Sequence, residues 1–143
     1  MSDNRRSSHA TGMAGEFFVM ERLFRMGYEA ALTLGNTKRV DILVYDMDGQ
    51  RQKKISVKTV RDGGGKWGVG HDDLSGEKDL VFVFLLYADF DDPTTNPDVW
   101  VMPAKDVETR KRGWLDGASA IYYSGSNAPD DLDKFKDAWK QHI

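Results

Sequence analysis

Apolar side chains recur at helical spacing from residue 13 onward: Met13, Phe17, Met20 and Phe24 make one stripe, and Val19, Leu23 and Met26 widen it. That spacing predicts an amphipathic helix whose stripe packs on a core, with Gly27 as its stop. Glu16 falls in the first turns, beside the stripe. Further on the period drops to two. "YEAALTL" reads as a short strand, and "GNTKR" carries turn chemistry. Val40, Ile42 and Val44 then alternate with Asp41, Leu43 and Tyr45, and after the turn "DMDGQ" Ile55 and Val57 alternate with Ser56 and Lys58, which predicts a hairpin. "DLVFVFLLYAD" is apolar on both faces, as in a strand covered on both sides, and "DVWVMP" is one more strand.

Pro103 suits the first turn of a helix running to about Arg112, and Pro129 opens a last amphipathic helix carrying Leu132, Phe135, Ala138 and Trp139. The order of helix, five strands and helices predicts an α/β protein: a mixed sheet of about five strands with helices on its faces. The first dozen residues, "MSDNRRSSHATG", have no period and read as a flexible arm, leaving 13–143 as a single domain.

Composition narrows this further. A chain of 143 residues at ordinary apolar content buries one sizeable core. Its longest apolar run, Leu80 to Ala88, is far short of the ~20 residues a spanning helix needs, and the N-terminus has no apolar leader, so a cytoplasmic protein is expected. The absence of cysteine excludes disulfides and thiolate metal sites. The net charge of -3 argues against indiscriminate binding of nucleic acid, yet the charges are unevenly placed. Lys38 to Lys66 holds eight basic residues against four acids, and His71 to Asp98 holds eight acids against Lys78 alone. A polyanion would dock on the first surface and avoid the second. Solvated faces are the plainer reading of the same clustering.

Strand alternation puts Ser56 and Lys58 on one face of their strand, and Asp41 on the paired strand projects beside them. A phosphodiesterase needs a hard divalent cation held by oxygen ligands, and a lysine that stabilises the charge of the transition state. Asp41 and Lys58, with Glu16 from the first helix, supply such a set. A buried Asp–Lys ion pair is the structural alternative, and Glu16 also suits a first helical turn through the helix dipole.

The segments "GEFFVMERLFRMGY", "GNTKRVDILV" and "ISVKT" resemble the PD-(D/E)XK nuclease superfamily, of restriction-endonuclease-like fold, and within it a branch of small proteins with G-E-x-x-V, G-N-x-x-x-x-D and V-K-T motifs. The resemblance spans roughly Met13 to Val60 and extends loosely to the strands at Leu80 and Val99. It implies that Asp41 is a metal ligand, Lys58 the catalytic lysine and Glu16 an accessory carboxylate. It also implies Mg2+ or Mn2+ as cofactor, nucleic acid (DNA favoured) as substrate and, by analogy, a homodimer to cut both strands.

Position 56 departs from that pattern, because the family places an acid or glutamine there and Ser56 has only a neutral hydroxyl. Three outcomes stay open. Asp41, Glu16, the Val57 carbonyl and a substrate phosphate hold the ion while Ser56 orders a water; or Asp46, Asp48 or Asp62 replaces the missing acid; or catalysis is lost and the domain binds only. In the binding reading Lys38, Arg39, Arg51, Lys53, Lys54 and Arg61 contact phosphates. A small interaction protein is a further rival.

Gly63, Gly65 and Gly68 match G-x-G-x-x-G formally, but neither a helix nor a ribose-binding acid follows as that motif requires. The segment reads as a loop in which Lys66 meets a phosphate and Trp67 stacks on a base, or else as a glycine loop with Trp67 tucked onto the core. Trp100, Trp114 and Trp139 read as packing residues. Arg110, Lys111 and Arg112 read as the basic end of a helix.

Overall fold

The computed structural model of the chain describes residues 4–33, 39–46 and 48–143. The five strands foreseen from the pattern are β1 (Glu29–Leu32), β2 (Ile42–Tyr45), β3 (Gln52–Arg61), β5 (Leu80–Tyr87) and β6 (Asp98–Pro103). They form one mixed sheet in the order β1-β2-β3-β5-β6, parallel only between β3 and β5. Strand β5, held between β3 and β6, explains the two-sided core. Its Val81, Val83 and Leu85 face helix α1 (Asn4–Arg25) together with Ile42, Val44, Ile55 and Val57, while Leu80, Phe82 and Phe84 face the other layer. β-Branched and aliphatic residues therefore line the helix side, and aromatics line the opposite side.

That opposite layer is a second sheet absent from the sequence reading. A parallel β3–β5 pair needs a crossover, and this one contains β4 (Lys66–Gly70), which pairs with β8 (Ala118–Tyr122) and through it with β7 (Arg112–Leu115). Trp67 is its anchor: it is fully buried against Phe84, Trp100 and Tyr123, with ring centroids 4.8–5.1 Å away, and its Nε1 donates to Leu85 O at 2.9 Å. An indole that both packs and satisfies its only donor is a core residue. The segment read as a glycine loop is thus a strand, and Trp67 is closed off from any base.

Other expectations shift as well. α1 begins at Asn4, so residues 4–12, expected in a flexible arm, extend the helix. Its buried seam is Thr11, Gly15, Val19 and Leu23, at four-residue spacing, whereas Phe17 and Phe24 are 56% and 50% exposed. Of the wider apolar stripe, Val19 and Leu23 are fully buried and Met20 and Met26 pack on the core, while Phe17 and Phe24 look away from it.

Helix α2 (Ala104–Arg110) follows Pro103 as expected, and ends two residues early because Arg112 opens β7. The last helix is broken into a 3-10 turn, Leu132–Phe135, and α3 (Trp139–His142), with Leu132, Phe135 and Ala138 buried. Of the tryptophans read as packing residues, Trp114 is half exposed. Among the described residues no helix is long and apolar enough to cross a membrane.

Candidate active site

β2 and β3 pair from Tyr45↔Gln52 to Ile42↔Ile55, and among the described residues no strand pairs with that edge of β3 from Ser56 to Arg61. Asp41 takes over the pairing at this point. Its backbone N–H donates to Ile55 O at 2.8 Å, and its carboxylate Oδ2 accepts the Val57 N–H at 2.7 Å. Backbone groups two residues apart on a strand point to the same side, so the Val57 carbonyl faces the same edge as the Asp41 carboxylate. One carboxylate oxygen is committed to the fold, and Oδ1 has no partner among the described residues.

α1 brings Glu16 to this edge through its neighbour. Gly15 lies flat on β3: a Cβ built there would sit 1.8 Å from Thr59 Oγ1 and 2.9 Å from Thr59 Cβ. Only glycine allows the helix so close, and the next residue, Glu16, is thereby carried into the field of Asp41. Partial burial raises the Glu16 carboxyl above its ordinary value first, the Asp41 charge adds to the rise, and His9 opposes it. Two carboxylates therefore face one edge, and the Asp41 charge makes that of Glu16 costlier.

Lys58, on β3, is half-buried and has neither an ion pair nor a side-chain hydrogen bond among the described residues. Asp41 gives its hydrogen bond to the backbone and not to Lys58. The buried Asp–Lys pair considered from the sequence is therefore absent. Ser56, opposite Phe82, is fully buried and its Oγ has no partner among the described residues. An orphan buried hydroxyl costs ~1–3 kcal/mol unless something satisfies it, and a bound water is the usual remedy.

The alternative acids do not join this edge. Asp46 Oδ1 accepts the Gln50 and Arg51 N–H groups at 3.0 and 3.4 Å, which is turn chemistry, and Asp48 and Asp62 are exposed. Among the described residues no three of His, Cys, Asp and Glu cluster as a metal cage. The site is a carboxylate pair beside a backbone carbonyl.

The basic residues read as one phosphate-binding surface are dispersed. Lys38 lies outside the described residues. Arg39 is taken by Glu77 (2.9 Å) and Asp72 (3.4 Å), and Lys54 also reaches Glu77 at 3.6 Å. Lys53, one residue on, points to the opposite face, where it donates to His142 O at 2.8 Å; burial and Arg51 lower its pKa. Arg51 is exposed on the turn side. Arg61 donates from Nε to Thr11 Oγ1 at 2.9 Å and stacks 4.0 Å from the Phe90 ring centroid. Lys66 lies on the second sheet, 5.0 Å from the Trp114 ring centroid.

A cavity of about 220 Å³ lined by Tyr28, Val44, Tyr45, Asp46, Arg51, Lys53 and Ile143 sits at the far end of the β2–β3 hairpin from Asp41. It is not part of the carboxylate edge. The sequence reading gave no part to Thr59, which meets Gly15 and whose only signal was its place one residue after Lys58.

No protein-family model and no curated protein matches the sequence. Among solved structures, that of a bacterial homing endonuclease, I-Ssp6803I, matches with a TM-score of 0.62 over 94% of this chain and 92% of that one, at 15% sequence identity. A match that covers nearly all of both chains includes the second sheet as well as the first, and the chain shares the overall fold of that endonuclease.

Proposed function

We propose that the chain is a divalent-metal-dependent endonuclease of PD-(D/E)XK type acting on nucleic acid, DNA in the first instance. One observation carries the reading: at the open edge of β3, Asp41 is clamped to the Val57 N–H with an oxygen to spare, Glu16 lies within its field, and Lys58 has no ion partner among the described residues. A lysine without a carboxylate partner among the described residues, on the strand whose Val57 N–H holds Asp41, is poor design for stability and suited to a site completed by other charges. The fold shared with a homing endonuclease supports the same reading.

The donor set fits a hard cation, since it offers carboxylate and carbonyl oxygens and no sulfur or imidazole. Asp41, Glu16 and the Val57 carbonyl would hold Mg2+ or Mn2+. Such an ion, when bound, supplies Lewis acidity toward a phosphoryl oxygen and lowers the pKa of water. The chain's own groups do the remainder. The Val57 N–H fixes the Asp41 carboxylate. The Lys58 ammonium stabilises negative charge gathering on the phosphate. The buried Ser56 hydroxyl, which lacks a protein partner among the described residues, holds a water at the place where relatives carry an acid or glutamine. A chain with one such site cuts one strand, so duplex cleavage calls for two copies and a homodimer is expected.

The test is cleavage of supercoiled, linear, single-stranded and branched DNA and of RNA with Mg2+ or Mn2+, comparing wild type with Lys58→Ala and Asp41→Ala. Activity that both variants lose, and that EDTA abolishes, is the expected result. An inert wild type with folded, DNA-binding protein would leave a binding module in which Ser56 marks the lost carboxylate.

A further inference from the structure

The second sheet turns a surface outward that the site above does not use. Trp67 and Val69 of β4 point into the core, so Lys66 and Gly68 point out. Cross-strand partners share a face, which adds Tyr122 (opposite Lys66) and Arg112 (in line with Gly68 through Ala120, which is itself fully buried). Trp114 lies over this face: a Cβ built at Gly68 would be 3.0 Å from its Cζ3, so glycine is what lets the indole lie flat on the strand.

Half of Trp114 remains exposed, and Leu115 beside it is 60% exposed. Lys66 Nζ sits 5.0 Å from the Trp114 ring centroid and 6.0 Å from that of Tyr122. No residue of β4, β7 or β8 is acidic; the nearest acid in the chain, Asp116, stands in the turn. That turn, Asp116–Gly117, has φ of 50° and 83°, the two left-handed residues of a tight hairpin, so the strand bearing Trp114 is held in register.

We infer that the outer face of the β4–β8–β7 sheet is a nucleic-acid platform, on which Trp114 stacks against an exposed base or sugar and Lys66 and Arg112 contact flanking phosphates. Exposed aromatic surface beside cations, on strands that carry no carboxylate, matches a polyanion that carries stackable bases. The inference rests on the nucleic-acid part of the proposed function and assigns it a surface. β4 leaves β3 through the turn at residues 62–65, where Gly65 N donates to Tyr123 Oη at 2.8 Å, so the platform is tied to the strand that carries Lys58. It also takes over the contact first read for Lys66 with Trp67, now with Trp114 as the aromatic partner.

The experiment is fluorescence anisotropy of the full chain with fluorescein-labelled duplex DNA and with its single strand, in EDTA so that no cleavage occurs, over a series of salt concentrations. Trp114→Ala should weaken binding roughly tenfold or more, and Trp114→Phe should keep most of the affinity. Lys66→Ala/Arg112→Ala, which leaves the packing intact, should lower the slope of log K against log salt by about 2. The platform is overturned if all these variants bind like wild type, or if wild type binds no nucleic acid. It is equally overturned if sedimentation shows that Trp114→Ala dissolves a dimer without changing affinity, because the face then belongs to a second copy. Binding that depends on Trp114 in a protein that never cleaves would keep the platform and discard the nuclease reading. Cleavage that depends on Lys58 but not on Trp114 would do the reverse.

Discussion

Replacing Gly15 by alanine tests the helix–strand contact on which the site depends. On an exposed helix the change would help, since glycine costs about 1 kcal/mol relative to alanine. Gly12, three residues earlier on α1, is that control, because a Cβ built there would have nothing within 4 Å, so Gly12→Ala should gain about 0.5–1 kcal/mol.

At Gly15 the added methyl would lie 1.8 Å from Thr59 Oγ1, 2.9 Å from its Cβ and 3.0 Å from its Cγ2. Rotating Thr59 moves the oxygen but leaves its Cβ in place, so α1 must lift off β3. Overpacking of this kind costs about 1–3 kcal/mol. The propensity gain is common to both, so the two alanine variants should differ by roughly 1–3 kcal/mol, with Gly15→Ala melting up to ~8 °C below wild type for a chain of this size. Urea unfolding followed by tryptophan fluorescence measures it. Thr59→Ala, which removes the two outer atoms but keeps Cβ, should rescue Gly15→Ala in part. Equal stability of Gly12→Ala and Gly15→Ala would refute the close approach, and with it the reason Glu16 stands beside Asp41. Cleavage by Gly15→Ala should fall further than its residual folding explains, because the shift carries Glu16 away.

Three further outcomes can be checked alongside. Ser56→Ala deletes a buried hydroxyl that has no protein partner among the described residues, so it should leave stability unchanged or raise it by about 1 kcal/mol while slowing cleavage; a loss of more than about 1 kcal/mol in urea would mean the hydroxyl is well paired. Arg110 grips Asp131 through Nε and Nη2 at 2.9 and 2.5 Å and holds that carboxyl far below its ordinary 3.8, so the stabilisation is complete above that value and lost as pH falls toward the folded one. Asp131→Asn should accordingly cost up to about 1 kcal/mol at neutral pH, and the gap should close in acid; a gap that widens on acidification contradicts the sign. Glu77→Gln frees Arg39 and Lys54 from their carboxylate and should tighten DNA binding at low salt with little effect at high salt, as a salt titration of anisotropy would show.

Much of the architecture follows from local pattern. The period-two runs at Val40–Tyr45 and Ile55–Lys58, and the unbroken apolar run at Leu80–Tyr87, specify the strands of the first sheet, because a strand reports its burial residue by residue. The candidate chemistry was also legible, since Glu16, Asp41 and Lys58 stand in recognisable local contexts.

Tertiary structure decided the rest. The sequence marks Val19, Leu23, Met20 and Met26 as apolar together with Phe17 and Phe24, yet only the packed helix, with Gly15 laid against Thr59, decides that Thr11, Gly15, Val19 and Leu23 form the buried seam and that the two phenylalanines stay exposed. β7 and β8 form a local hairpin across the Asp116–Gly117 turn, a signal the sequence did carry, but β4 is short and glycine-rich, and only its pairing with β8 across more than forty residues of chain completes the second sheet. The two neighbouring indoles show the same division. Trp67 and Trp114 both stand in glycine-rich strands of one sheet, and the side of that sheet each faces, which only the packed fold determines, buries one and exposes the other.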